Sequence, residues 1–177
     1  ITGYTGSSAE LVIPGTVEGC PVTAVAANAF SGNTALTAVT VPESLTAYGA
    51  GAFNGCTGLK AVYISDLTAW VTSTFQKADG VSAWLSNPLY YAKNLYLNGA
   101  LITDLVIPEG VTSIGSEAFS GCSGFTGNLV IPAGVTSIGS YAFNNCSGFT
   151  GDLVIPEGVT SIKRDTFNGC SGFTGEL

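Results

Sequence analysis

Apolar and polar residues alternate in a short motif that returns at a constant interval along much of the chain. Leu105-Val-Ile-Pro is followed by a polar turn, then by Thr-Ser-Ile and by an Ala-Phe pair ending at Phe119. The same order begins again at Leu129 and at Leu153, so successive copies lie 24 residues apart. A constant interval of this length indicates stacked supersecondary units, none of which can bury its apolar face alone.

Parity within each motif predicts which side chains of a strand face the core. Side chains alternate between the two faces of a strand. Leu129 and Ile131 share the inward face, and proline after the strand ends the pairing because it has no N–H to donate. The intervening position faces outward, at Val12, Thr40, Val106, Val130 and Val154. A second extended piece is predicted to turn its isoleucine inward, at Ile114, Ile138 and Ile162.

The motif predicts a β-rich (α/β) solenoid over residues 1–177, a right-handed coil with parallel strands, short helical turns and one irregular insert. Looser copies of the motif begin at Leu11 and near Val39. The predicted repeats cover about 11–35, 36–58, 105–128, 129–152 and 153–175, with the insert at 59–104. A structural ladder is expected from residues that recur at equivalent places: Phe30, Phe53, Phe119, Phe143 and Phe167, with Cys56, Cys122, Cys146 and Cys170.

The ladder cysteines are predicted to be buried thiols rather than metal ligands. Their spacing is far from the Cys-x-x-Cys brackets that hold zinc. A buried thiol behaves as a small hydrophobe and can donate to a nearby carbonyl. Cys20 stands apart, in an extra loop of the first repeat, and is predicted to be reachable by solvent.

The insert concentrates the aromatic residues and carries its own local signals. Asp66 is predicted to cap a short helix through Trp70, and Asn87-Pro88 to open a second one. Asn98-Gly99 predicts a two-residue hairpin. Two readings of the aromatic set remain open, a local packed core or a platform that binds sugar or protein; its members are Trp70, Phe75, Trp84, Tyr90, Tyr91 and Tyr96. Tyr63 is predicted to be exposed, because parity places it on the outward face.

Composition and charge exclude several classes of function. The net charge is −7 and only five residues are Lys or Arg, so a nucleic-acid partner is not expected. No apolar run reaches the ~18 residues of a membrane span, so direct membrane insertion is not expected either. The chain has no histidine, which removes Ser-His and Cys-His nucleophiles. No cofactor motif is present.

Residues across the whole chain resemble a known family. The pattern Leu-x-x-Val-x-Val-Pro, then Val-Thr-x-Ile-Gly-x-x-Ala-Phe-x-x-Cys, resembles the BspA-like (treponemal-type) leucine-rich repeat. Residues 86–99, leading into Leu105, are similar to an insert common in bacterial members. The resemblance implies a leucine-rich-repeat coil at the cell surface or outside the cell, in a family that includes adhesins.

Three functions follow as hypotheses. The first is a non-catalytic surface or secreted binding module that adheres to host or bacterial surface proteins. Its candidate binding surface is the outward strand face with its polar edge: Tyr63, Asp104, Val106, Asn128, Val130, Asp152 and Val154. The second is an architectural spacer within a larger surface protein, and we expect the chain to be a portion of such a protein.

The third hypothesis is a carbohydrate-active enzyme, which needs a suitably spaced pair of carboxylates. Asp104 and Asp152 lie two coils apart, as do Glu109 and Glu157. The strand spacing puts each pair at ~9–10 Å. Catalysis is disfavoured because repeated acids in turns are usually solvated, and the chain is therefore predicted not to be an enzyme.

Overall fold

The computed structural model describes residues 1–4, 6 and 8–174 and shows short strands joined by turns, with few helices. The strands are β1 (Glu10–Val12), β2 (Thr16–Val17), β3 (Cys20–Pro21), β4 (Ala24–Val25), β5 (Ala38–Val41), β6 (Ala47–Tyr48), β7 (Ala61–Ile64), β8 (Thr74–Phe75), β9 (Leu95–Leu97), β10 (Ala100–Leu101), β11 (Leu105–Val106), β12 (Ser113–Ile114), β13 (Leu129–Val130) and β14 (Ser137–Ile138). The helices are α1 (Leu67–Val71) and α2 (Pro88–Ala92), with a 3₁₀ helix at Ala83–Ser86.

The first extended piece of each motif, together with its counterparts in the insert, forms parallel ladders. One sheet has the order β1-β5-β7-β9-β10, and every pair in it is parallel except the last. Further along the chain β11 pairs with β13, also in parallel, with Leu105 opposite Leu129. Equivalent residues of successive motifs are thus neighbours across a strand pair, as stacked coils require.

The second extended piece of each motif forms a separate ladder. Strands β4, β6 and β8 pair in parallel in that order, and β12 pairs with β14 in parallel. Together the two ladders make a β-rich, solenoid-like fold with mostly parallel strands. Inside it the side chains that alternate inward are buried, among them Leu11, Val39, Leu105, Ile114, Leu129 and Ile138.

Phenylalanine rings stack from coil to coil in the interior. Phe119 and Phe143 have ring centroids 5.4 Å apart and an angle of 9° between their planes. Phe143 and Phe167 lie at 5.3 Å and 4°. Towards the other end of the chain, Phe30 and Phe53 lie at 4.9 Å. Phe119, Phe143 and Phe167 thus form an apolar column beside the strand ladders, and Phe119 and Phe143 are fully buried in it.

A second column of rings was not predicted from the sequence. Phe125 stacks on Phe149 at 5.2 Å, and Phe149 on Phe173 at 5.5 Å. It meets the first column edge to face, as Phe143 and Phe149 do at 6.3 Å. The signal was present, since these phenylalanines also lie 24 residues apart.

The local predictions for the insert are confirmed. The Asp66 carboxylate caps α1 by accepting from the backbone N–H groups of Thr68 (2.7 Å) and Ala69 (3.3 Å). Asn87 caps α2, with Pro88 at its first turn. Strands β9 and β10 form the hairpin, and Asn98 and Gly99 adopt the positive φ values of 51° and 83° that such a turn requires.

The insert also takes the place of a neighbouring coil. The Trp70 indole donates to the carbonyl of Ala118 at 3.0 Å, and the Asn87 amide donates to the carbonyl of Glu117 at 2.7 Å. On its other side, the backbone N–H of Phe53 donates to the carbonyl of Leu85 at 3.2 Å. Backbone groups that would otherwise be unpaired between the two sets of coils are satisfied in this way.

The prediction for Ile162 was wrong. Its side chain is 51 % exposed, whereas the equivalent Ile114 and Ile138 are buried. The coil that holds Ile162 has a neighbour on one side only within the described residues, so one side of its interior is uncovered. Its residues 161–162 also do not extend the ladder that joins β12 to β14. Within the same described part of the chain, no helix is long and apolar enough to cross a membrane.

Candidate functional site

The outward positions of the strand ladders form an exposed apolar surface. Val12, Val106, Val130 and Val154 are 68, 55, 48 and 68 % exposed. The residues on either side of Val12, Val106 and Val130, such as Leu105, are buried, and the predicted alternation is therefore confirmed at these three positions. The neighbours of Val154 are half-buried. Large apolar side chains in a row on a surface are a feature of interaction sites.

Two tyrosines occupy outward positions on the five-stranded sheet, between Val12 and Val106 in chain order. Tyr63 on β7 and Tyr96 on β9 are register partners, and their rings stack with centroids 4.7 Å apart. Both rings are half-buried. Tyr63 was expected to be the exposed aromatic by itself, whereas the structure shows a pair. Tyr96 could have been found, because Leu95-Tyr-Leu repeats the apolar, aromatic, apolar order of Val62-Tyr-Ile.

The hairpin adds one more apolar side chain. Leu101 on β10 lies directly opposite Tyr96 in the antiparallel pair and is 44 % exposed. Residues opposite each other in a ladder share a face. We call this set the outer strip: Val12, Thr40, Tyr63, Tyr96, Leu101, Val106, Val130 and Val154.

Acidic and amide groups lie at one edge of the outer strip. Asp104, Asn128 and Asp152 precede the outward valines and are exposed. The Asp104 carboxylate accepts from the Asn128 backbone N–H at 2.8 Å and from its side-chain amide at 3.4 Å. Asp104 thus links two successive coils at this edge. Glu109 and Glu157 are exposed as well.

The aromatic residues of the insert divide into two groups. Trp70 and Phe75 are buried and pack edge to face at 5.8 Å, both against Tyr48. Tyr91 is half-buried, and its hydroxyl accepts from the Gly55 backbone N–H at 3.0 Å. A packed local core thus accounts for these members. Trp84 and Tyr90, with ring centroids 6.2 Å apart, remain partly exposed.

The cysteines of the repeat donate to the backbone of the preceding coil. The Cys56 thiol reaches the carbonyl of Phe30 at 3.1 Å, and the Cys146 thiol that of Phe119 at 3.1 Å. Cys122 and Cys170 make equivalent bonds at 2.9 Å. The predicted burial is confirmed for Cys56, Cys122 and Cys146, whereas Cys170 is only half-buried. Burial raises the pKa of Cys56 to about 11 and that of Cys122 to about 12, so both thiols stay protonated. Cys20 is exposed, as predicted.

Glu117 is a buried carboxyl group on the bend between Gly115 and Phe119. Only 4 % of the residue is exposed, and its Oε2 has no hydrogen-bond partner. Burial raises the pKa of Glu117 to about 7, an effect that the Ser120 hydroxyl partly offsets. The folded chain therefore holds this proton over a pH range in which the unfolded chain has released it.

This difference predicts a pH dependence of stability. The contribution from Glu117 is complete below the unfolded pKa of 4.5 and is lost as the pH rises through about 7. Glu117→Gln keeps the shape without the charge. We expect it to raise the free energy of unfolding at pH 8 by about 1–2 kcal/mol, a value reduced for the remaining contact with solvent, and to change it little at pH 4.5.

Urea unfolding of the Glu117→Gln variant and the unmodified chain at pH 4.5 and pH 8 measures this effect. Glu109→Gln, which removes a charge from an exposed turn, is the control. An equal gain from both variants at pH 8 would contradict the prediction.

These features define a repeat protein with a β-rich, solenoid-like fold. The sequence profile described as "BspA type Leucine rich repeat region" matches six copies, over residues 9–124 and 90–175. The chain therefore belongs to the BspA-type leucine-rich repeat family. Leucine-rich repeat proteins are generally non-catalytic binding modules.

Solved structures of bacterial repeat proteins are similar to the chain. A leucine-rich repeat protein of T. pallidum is 26 % identical with a TM-score of 0.53, covering 97 % of this chain and 70 % of that one. A leucine rich cell surface protein of Faecalibacterium prausnitzii A2-165 is 27 % identical with a TM-score of 0.58, covering 98 and 48 %. A leucine-rich repeat protein of Bacteroides ovatus, 23 % identical with a TM-score of 0.56, covers 93 and 38 % and supports the fold alone.

The chain spans about half or less of the second and third of these proteins. No curated protein matches it.

Proposed function

We propose that the chain is a surface or secreted adhesion module that binds a host or bacterial surface protein through the outer strip. The observation that carries this proposal is the row of exposed valines on successive coils, with the stacked pair Tyr63 and Tyr96 among them. Tyrosine is favoured at the centre of protein interfaces, because it buries a large ring at little cost in side-chain entropy.

The acidic edge of the outer strip favours a partner protein with basic residues around an apolar patch. Asp104 and Asp152 are exposed beside the valines, and the chain has a net charge of −7. A protein that presents apolar side chains flanked by Lys or Arg would be complementary to this surface. Charges at the rim of an interface mainly raise the rate of association, so raised salt is expected to slow binding. The description of one similar protein as a cell surface protein is consistent with this location.

A double variant tests the proposal. Tyr63→Ala removes half of the stacked pair, and Val130→Asp places a charge in the strip. We expect the affinity of the immobilised double variant for a surface-protein ligand to fall by about tenfold or more. This corresponds to a loss of about 1.4 kcal/mol of binding free energy. Pull-down from host extracellular and bacterial surface proteins measures retention, and circular dichroism checks the fold.

Val17→Asp is the matched control, because Val17 is 51 % exposed but lies in the separate hairpin of β2 and β3. It should leave retention unchanged. Undiminished capture by a folded double variant would exclude the outer strip. An architectural spacer is the alternative, and it should retain nothing in any form.

A further inference from the structure

A cleft lies on a different surface of the molecule from the outer strip. Its volume is about 700 Å³, it is open to solvent on one side, and it is lined by residues 75–77 and 82–84 of the insert and by the bends of three successive coils. Pockets that hold small ligands have volumes of roughly 300–1,000 Å³. The cleft shares no lining residue with the outer strip.

The three regular repeats differ from one another most at this cleft. The copies that begin at Leu105, Leu129 and Leu153 are the same at most positions. Their longest run of differences covers 115–118, 139–142 and 163–166, and five residues of that run line the cleft: Ser116, Glu117, Ser140, Tyr141 and Arg164.

Exposure alone does not explain this variation. The positions of Thr112, Ser123 and Thr126 are exposed and yet are the same in all three copies. The bend therefore carries side chains that are particular to each coil, at the three positions that follow its first residue. A set of different groups facing one cleft is what recognition of a small ligand needs.

The walls of the cleft are aromatic. Trp84 from the insert and Tyr141 from a bend are half-buried, so each offers part of a ring to the cleft. Phe75 also lines it and is held by stacking on Tyr48 at 4.8 Å. Aromatic faces carry partial negative charge, which attracts polarised C–H groups such as those on the face of a sugar ring.

Neutral polar groups complete the walls. Gln76, Ser82, Ser116 and Ser140 line the cleft. Hydroxyl and amide side chains donate and accept hydrogen bonds, which matches the dense alternation of donors and acceptors on a saccharide. An aromatic face combined with hydroxyls and an amide is suited to a polyhydroxylated ring better than to an apolar ligand.

The local charge is opposite to that of the chain. Lys and Arg number five against 12 Asp and Glu, yet two of the cations, Lys77 and Arg164, line the cleft. Among the lining residues Glu117 is the single acid, and burial raises its pKa to about 7. The Nε of Arg164 bonds to the Asp165 carboxylate at 3.2 Å just outside the lining, so Lys77 and the terminal nitrogens of Arg164 carry the positive charge that faces a ligand. The Arg164 guanidinium lies 5.8 Å from the centroid of the Tyr141 ring, which places a positive group beside an aromatic wall.

We propose that this cleft binds an acidic saccharide of roughly two or three rings. The sugar rings lie against Trp84 and Tyr141, and their hydroxyls bond to the serines and to Gln76. The anionic group, a carboxylate or a sulfate, meets Lys77 and Arg164 at the rim. This site is independent of the proposed protein-binding strip.

A glycan array tests the proposal with the intact chain. The probes are short uronate, sialylated and sulfated oligosaccharides, each printed beside its neutral counterpart. We expect binding to the anionic probes, with signals for the neutral counterparts at least about tenfold weaker. Comparison of the carboxylated probes (uronate and sialylated) with the sulfated probes shows whether the site prefers a carboxylate or a sulfate. Failure to bind any anionic probe, or equal binding of the neutral ones, would overturn the proposal.

Paired variants locate the site. Arg164→Gln is compared with Lys163→Gln, which removes the same charge from the adjacent exposed residue outside the cleft. Tyr141→Ser is compared with Tyr63→Ser on the outer strip. We expect the first member of each pair to weaken titrated binding at least about tenfold and the second to leave it unchanged. Equal effects within both pairs, in variants with unchanged circular dichroism, would show that the cleft is not the site.

Discussion

Phe143→Ala is expected to lower the free energy of unfolding by about 3–5 kcal/mol. Phe143 is fully buried and lies between two rings, with Phe119 at 5.4 Å and Phe167 at 5.3 Å. It also meets Phe149 edge to face at 6.3 Å. Removal of the ring leaves a cavity in both phenylalanine columns, and backbone bonds from coil to coil oppose the collapse that would fill it.

Equilibrium unfolding in urea measures the loss, and Phe167→Ala supplies the comparison. Phe167 is half-buried and stacks on a ring on one side in the described residues. Truncation there removes less buried surface, so we expect less than half the effect. If the two variants lose the same amount of stability, continuous stacking is not what holds the coils together.

The repetition of the motif explains why much of the interior could be predicted. When Val130, Phe143 and Cys146 each recur at a constant interval, stacking aligns like with like, and parity then decides which side chain is buried. Parity misplaced Ile162, because burial depends on a neighbour on both sides and not only on the direction of the side chain.

The repeat pattern predicts fewer of the residues in the candidate sites. Tyr96 and Leu101 join the outer strip through a hairpin whose pairing has no copy elsewhere in the sequence. The cleft brings Trp84 of the insert to Tyr141, far away in the chain. Contacts between a unique segment and a repeated one have no periodicity, so the sequence contains no local signal for them. The packing between repeats can therefore be predicted from the sequence, whereas the candidate sites, which depend on the insert, cannot.

Gly115 and Gly139 occupy the same position at the start of the bend, where the space available to a side chain is very small. Lys163 occupies this position in the last repeat, and the sequence therefore indicates that no positive φ is needed there. A Cβ added to Gly139 would lie 2.3 Å from the backbone nitrogen of Ser116, and one added to Gly115 would lie 2.5 Å from the carbonyl oxygen of Ser73. The close approach of successive coils is thus what favours glycine at the bend.

Gly139→Ala is accordingly expected to lower the free energy of unfolding by about 2–3 kcal/mol or more. The contact is with backbone, so relief requires the coils to separate and weakens the bond from the Gly139 N–H to the Ile114 carbonyl, now 2.9 Å. Gly134→Ala is the control, since its added Cβ would meet the Val111 carbonyl oxygen at 3.8 Å, an ordinary contact.

Both alanines reduce the entropy of the unfolded chain by a similar amount, so the difference between the two variants isolates the contact between coils. Urea unfolding of the pair provides that difference. Equal stabilities would mean that the coils can separate at little cost. The column of rings beneath the bend would then have to hold the stack without close backbone packing.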